Sequence, residues 1–237
     1  MNKAIRFYTT MGALALGAGM APAGSMAAVL NASVGGVPVG ANIYESFDTL
    51  SSLGGATGNG VTVIFGGTGA GVATLPNVDG QYAAPYLSGG NGALFGNFQA
   101  DGQDATPYLS TGIGSVTLQL DEYHQYFGLL WGSVDSYNTL SFYDGDTLLF
   151  DFTGLDVNAL ADGSQEAGGT YYVNINSDLQ FNKVVASSSS YSFEFDNVAL
   201  AYTPVELPQT GVPEPGTLAL LGLGAFAGIA ARRRRAG

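Results

Sequence analysis

Four oxygen-bearing side chains are the first to suggest chemistry: Glu45 and Asp48 in the stretch Tyr44-Glu45-Ser46-Phe47-Asp48, and Asp196 and Asn197 far along the chain. Oxygen donors without nitrogen or sulfur suit a hard cation of flexible geometry, so the four are expected to hold Ca2+ if strands bring them together. Asp196 stands out by its position. Tyr191, Phe193 and Phe195 are apolar on odd numbers, and Val198, Leu200 and Tyr202 on even numbers. The phase flips across Asp196-Asn197, as a β-bulge within one strand would make it. Asp196 is then expected in register with Val198 and Leu200, pointing inward. A buried carboxylate needs a partner. Lys183 is the only lysine or arginine between residues 28 and 211, and a cation is the alternative to it. The competing reading is two solvated surface turns. Asp144-Gly145-Asp146 and Asp101-Gly102-Gln103-Asp104 lack the ligand series of an EF-hand and read as turns.

Catalytic chemistry finds less support. The chain has no cysteine, which excludes a thiol nucleophile, a thiolate metal site and a dithiol redox centre. His124 is the only histidine, and no Gly-x-Ser-x-Gly elbow accompanies it. Zinc hydrolases need more nitrogen or sulfur ligands than one histidine supplies. A carboxylate pair for glycoside hydrolysis remains. Glu194-Phe195-Asp196 resembles the start of the Glu-x-Asp-x-x-Glu strand of sandwich-fold endoglucanases, but position 199 is Ala, so the acid/base partner is missing. No catalytic or cofactor-binding residue is assigned, and the chain is not expected to be an enzyme.

The elements that must position these groups are strands. Val116, Leu118 and Leu120 alternate with Ser115, Thr117 and Gln119; Leu148, Phe150 and Phe152 flank Asp151; Tyr171, Val173 and Ile175 alternate with Tyr172, Asn174 and Asn176. Period two with β-branched and aromatic residues marks half-buried strands. Asp144-Gly145 between two such runs marks a hairpin. The expected fold class is all-β, an antiparallel β-sandwich of jelly-roll type. Its first strand is expected to contain Tyr44-Glu45-Ser46-Phe47-Asp48 and to lie near the last one. Residues 159–167 read as one short helix or a loop. Residues 66–104, rich in glycine, read as long loops with one or two strands near one end of the sandwich, where binding commonly occurs. Plain connection is the simpler reading. Tyr82, Tyr86, Tyr108, Tyr123, Tyr126 and Tyr137 supply candidate platforms for a sugar, although tyrosines in β-domains also cover the core edge. Trp131 is expected in the core.

The two ends differ from the middle. Lys3 and Arg6 precede an apolar run from Met11 to Met20 and the small residues Ser25-Met26-Ala27, the pattern of a signal peptide spanning residues 1–27. At the other end, fifteen apolar or small residues, 217–231, precede Arg232, Arg233, Arg234 and Arg235. Such a segment, ~22 Å long as a helix, reads as a short transmembrane helix held by a basic stop-transfer cluster. The expected organisation is a β-domain at 28–203, a linker at 204–211 and a tail at 212–237. Between residues 28 and 211 stand eighteen acids against one lysine, a net charge of −17. That surface repels nucleic acid and suits a soluble exported protein or one that binds divalent cations.

The tail carries a family resemblance. Val212-Pro213-Glu214-Pro215, then Gly216-Thr217-Leu218-Ala219-Leu220-Leu221-Gly222-Leu223-Gly224, then the arginine cluster, resembles the PEP-CTERM sorting tail of exosortase substrates. The resemblance implies a Gram-negative bacterium that makes exopolysaccharide, export, transient insertion in the inner membrane, processing by exosortase near the Pro-Glu-Pro motif, and delivery to the cell surface or biofilm matrix. Leu207-Pro208-Gln209-Thr210-Gly211 also reads as the LPxTG signal of sortase substrates. Pro-Glu-Pro abutting the apolar run is the exosortase arrangement and is preferred. Segment 127–143 resembles one recurrent in secreted domains with this tail, which implies fold kinship and no known activity. The delivered domain is expected to be structural or adhesive, the alternative being a module that binds exopolysaccharide.

Overall fold

The structure, a computed structural model, describes residues 28–207. The signal peptide, the motif Val212-Pro213-Glu214-Pro215, the segment 217–231 and the four arginines lie outside the described residues, as do the last four residues of the LPxTG string. Thirteen strands follow in order: β1 (Ala28–Ser33), β2 (Ile43–Glu45), β3 (Gly55–Ala56), β4 (Val61–Thr68), β5 (Gly71–Ala73), β6 (Tyr86–Leu87), β7 (Gly102–Gln103), β8 (Tyr108–Ser110), β9 (Ile113–Gly132), β10 (Asn138–Asp144), β11 (Thr147–Thr153), β12 (Tyr171–Ser188) and β13 (Glu194–Ala201). Eleven join one sheet, and β6 and β7 pair separately. Every strand pairing is antiparallel.

Two long strands organise the sheet. β9 has 20 residues and β12 has 18, and they pair from Trp131 opposite Tyr171 to Gly114 opposite Ser188. A straight 20-residue strand would run ~66 Å, too far for both ends to share one core. The pair is interrupted where the register shifts between Asn176 and Lys183. Across that break the apolar phase of β9 changes from Val116, Leu118 and Leu120 to Phe127, Leu129 and Trp131, and all six join one core. Phe127 of the second half meets Phe142 of β10 edge-to-face at 5.5 Å. β10 and β1 extend the two halves of β12, while β4 and β13 extend the two halves of β9.

Several local expectations hold. β10 and β11 form the hairpin at Asp144-Gly145, with Gly145 at φ 57°. Trp131 is fully buried and stacks on Phe193 at 4.2 Å. Others need correction. The first described strand is Ala28–Ser33, paired with β12; Tyr44 and Glu45 belong to the second, which does lie against β13 but ends at Glu45, leaving Ser46, Phe47 and Asp48 outside it. Residues 159–167 hold no α-helix, in line with the loop reading, and the short helix α1 is Gly154–Val157 just ahead of them, where Thr153 and Asp156 form a capping box. The glycine-rich stretch is long loops with short strands, as expected, but it does not sit at one end. It crosses the outer face of β9 and β13, where Leu87 and Phe95 pack with Tyr126, Leu130, Tyr172, Ala199 and Ala201 in a second core.

Candidate functional site

The outer face of β13 is where charge is buried. Opposed residues of an antiparallel pair share a face. Asp196 stands opposite Leu130, Ala199 opposite Gly128 and Ala201 opposite Tyr126, with a register break between Asp196 and Ala199. The bulge forecast from the phase flip is therefore present, and Asn197 adopts φ 53° at it. Asp196 does not share the side of Val198 and Leu200, which join Phe195 in the main core. The bulge takes up Asn197 as the extra residue, so Asp196 faces the second core, buried under the 74–107 segment.

Asp104 descends onto it from that segment. Its N–H donates to the Pro85 carbonyl at 2.8 Å. Its Oδ1 accepts from Asn97 Nδ2 at 2.9 Å, from the Thr106 N–H at 2.9 Å and from the Thr106 hydroxyl at 2.6 Å. The Asp104 and Asp196 carboxyl groups meet at hydrogen-bonding range. Both residues are 0% exposed, and no donor satisfies Asp104 Oδ2 or either Asp196 oxygen. The Asn197 N–H lends the Asp196 carboxylate some support but does not reach hydrogen-bond geometry. Burial pushes both acids above the ordinary carboxylate range, with the Asp104 charge adding to the rise at Asp196 and the Asp48 charge at both.

The four residues singled out in the sequence separate into two groups. Glu45 opposes Val198, but its Oε1 accepts from the Phe47 N–H at 3.0 Å and its Oε2 from Asn59 Nδ2 at 3.1 Å. It closes its own turn. Asp48 is exposed and accepts from the Ser46 hydroxyl at 3.0 Å. Asn197 is 1% exposed, and both ends of its side-chain amide lack partners. Asp104, read in sequence as part of a turn, is the residue that meets Asp196. Its signal is the Asx-type spacing to Thr106; nothing in the sequence marks its burial. Among the described residues no three His, Cys, Asp or Glu side chains converge as a metal-binding group. Lys183 is not the partner of Asp196, since its ammonium binds exposed Asp146 at 2.9 Å.

A second polar recess lies two residues along the same strand. Glu194 Oε1 accepts from the Ala83 N–H at 3.2 Å and from the Ser192 hydroxyl, while Oε2 is unpaired. Burial pushes its carboxyl up to about 7. It lines an open cavity of about 160 Å³ with Tyr82, Asp135, Tyr137, Asp162 and Tyr191. Of the six candidate platform tyrosines, Tyr108 and Tyr126 are fully buried, Tyr82, Tyr86 and Tyr137 are half-buried, and Tyr123 is exposed. His124 is buried, stacks on Tyr202 at 4.9 Å and places Nδ1 3.0 Å from the Glu122 carbonyl oxygen.

The described part is thus a mostly β domain with a large antiparallel sheet and buried acids under an irregular cover. Residues 211–235 match the PEP-CTERM protein-sorting motif, so the chain carries the exosortase-dependent sorting tail and is a surface protein sorted by that route. The match starts at Gly211, where the LPxTG string ends. No curated protein and no solved structure matches the chain.

Proposed function

We propose that exosortase delivers a non-catalytic β-domain with a structural or adhesive role to the cell surface or biofilm matrix. The motif match at residues 211–235 carries this reading. A signal peptide at residues 1–27 and a transmembrane helix at 217–231 supply export and the transient anchor, leaving the domain at 28–203 and a short linker. The finer architecture is a jelly-roll-like sandwich, the 11-stranded sheet folding on itself at the break in β9 and β12. The non-catalytic reading draws on His124, whose stacked, buried ring is held by its own turn and by Tyr202.

The test is the mass of the protein recovered from exosortase-competent and exosortase-deficient cells. The competent strain is expected to yield a chain that has lost residues 1–27 and been cut near Val212-Pro213-Glu214-Pro215, and the deficient strain a chain retaining the apolar tail. Equal masses in the two strains would overturn the route.

A second reading rests on the recess beside Glu194. Tyr82, Tyr137 and Tyr191 around acids resemble in kind the apolar faces and hydrogen-bonding groups that hold a sugar. Under it the domain binds exopolysaccharide, and a glycan array separates the two: binding lost in Tyr137→Ala supports this second reading, and no bound glycan supports the structural one.

A further inference from the structure

We propose that Asp104 and Asp196 bind one Ca2+ ion between strand β13 and the segment 74–107 that covers it, with the Asn197 side chain as the neighbouring oxygen donor. The inference goes beyond the sorting route and the structural role, and it does not depend on either.

Asp104 Oδ2 and both Asp196 oxygens are buried and without hydrogen-bond partners, and so is the side-chain amide of Asn197, the next residue along the strand. Buried carboxyl groups stay charged only when paired or bound to a metal, and otherwise take up a proton. The one lysine of the described residues is spent on Asp146. The one histidine is held by Glu122 and Tyr202.

A proton shared between the carboxyl groups is the simplest alternative. It would join Asp104 Oδ2 to one oxygen of Asp196 and leave the other oxygen with no more than the weak support of the Asn197 N–H. A cation answers all three. Oxygens arranged around Ca2+ at ~2.4 Å pack roughly 3 Å from one another, and the two carboxyl groups lie close enough to interact directly. Asp48 adds negative charge whose influence reaches both acids. The remaining Asp104 oxygen is pinned by Asn97 and Thr106, which fixes the direction of the free one. All-oxygen donors from a strand and an irregular segment suit the variable coordination of Ca2+ better than the strict octahedron of Mg2+. Two carboxylates and an amide leave positions for carbonyl groups or water.

The set differs from the one suggested by the sequence. Asp104 replaces Glu45, whose oxygens are engaged, and Asp48 acts through its charge.

The test uses the full-length protein stripped with EDTA and titrated with CaCl2 at pH 7.5. Calorimetry is expected to show one ion per chain with a Kd of ~10⁻⁵–10⁻³ M, the range of extracellular sites. The thermal midpoint is expected to rise, and chymotryptic cleavage after Phe98, an exposed residue of the covering segment, to slow at least fivefold. Asp104→Asn and Asp196→Asn should each abolish all three responses. Glu45→Gln and the exposed-acid control Asp151→Asn should keep them. No calcium response in the wild type overturns the proposal and leaves the shared proton. A response retained in both the Asp104 and Asp196 variants also overturns it, assigning the ion to the acidic surface. If either variant fails to fold, the wild-type comparison of EDTA, CaCl2 and MgCl2 still decides.

Discussion

His124 shows how one buried ring sets a pH dependence. Desolvation lowers its pKa below the ordinary 6.5, so the folded protein holds it neutral. As pH falls through 6.5 the unfolded chain takes up a proton that the folded chain refuses, and stability falls until the folded ring also protonates. Above 6.5 the contribution is constant. His124→Phe keeps a ring against Tyr202 and removes the titration. Denaturant unfolding between pH 7.5 and 5 should therefore show a shallower decline for the variant than for the wild type; parallel curves would refute it. At Trp131 the lesson is packing. It is fully buried and stacked on Phe193, so Trp131→Ala should cost about 3–5 kcal/mol in the same measurement. Its identity as a core residue was legible from its place in an apolar run. The role of Asp104 was not, because its neighbours Asp101 and Gln103 are exposed and only a chain crossing from elsewhere buries it.

Strands were legible wherever one face meets the core and the other meets water, as along Val116–Leu120. The second half of β9 reads differently, since it is buried on both faces and alternation carries no direction there. Glycines divide the same way. Gly145 sits at φ +57° with open space around it, and Gly114 would place a Cβ 2.2 Å from the Gly66 carbonyl oxygen. Gly145→Ala should cost about 1 kcal/mol, the penalty of a left-handed L-residue. Gly114→Ala should cost more, about 3 kcal/mol, because β4 must move away from β9. Chemical denaturation of the two variants checks the order. The Asp144-Gly145 turn announced the first case in the sequence. Nothing announced the second, which depends on Gly67 lying opposite Gly114.

For the whole molecule the decisive quantity is charge. Eighteen acids and one lysine between residues 28 and 211 make the domain repel itself at neutral pH. Screening lengths fall from ~30 Å at 0.01 M salt to ~3 Å at 1 M, so the thermal midpoint should climb with NaCl over that range; a flat or falling curve would show that the charges are already compensated. The sorting tail acts at this scale too. Replacing Pro213-Glu214-Pro215 by alanines should leave an uncut chain in the cell envelope, read by mass.

The sequence by itself determined the address and the class of structure, because both reside in local patterns: a motif abutting an apolar run and basic end, and period-two alternation between glycine-rich turns. It also located the bulge, since a phase flip is a one-dimensional event. Only the tertiary structure decided which face Asp196 takes and which acid it meets. Asp104 and Asp196 are brought together when residues 74–107 cross the sheet, and the energy that favours that crossing comes from Leu87, Phe95 and Tyr172 packing in the second core.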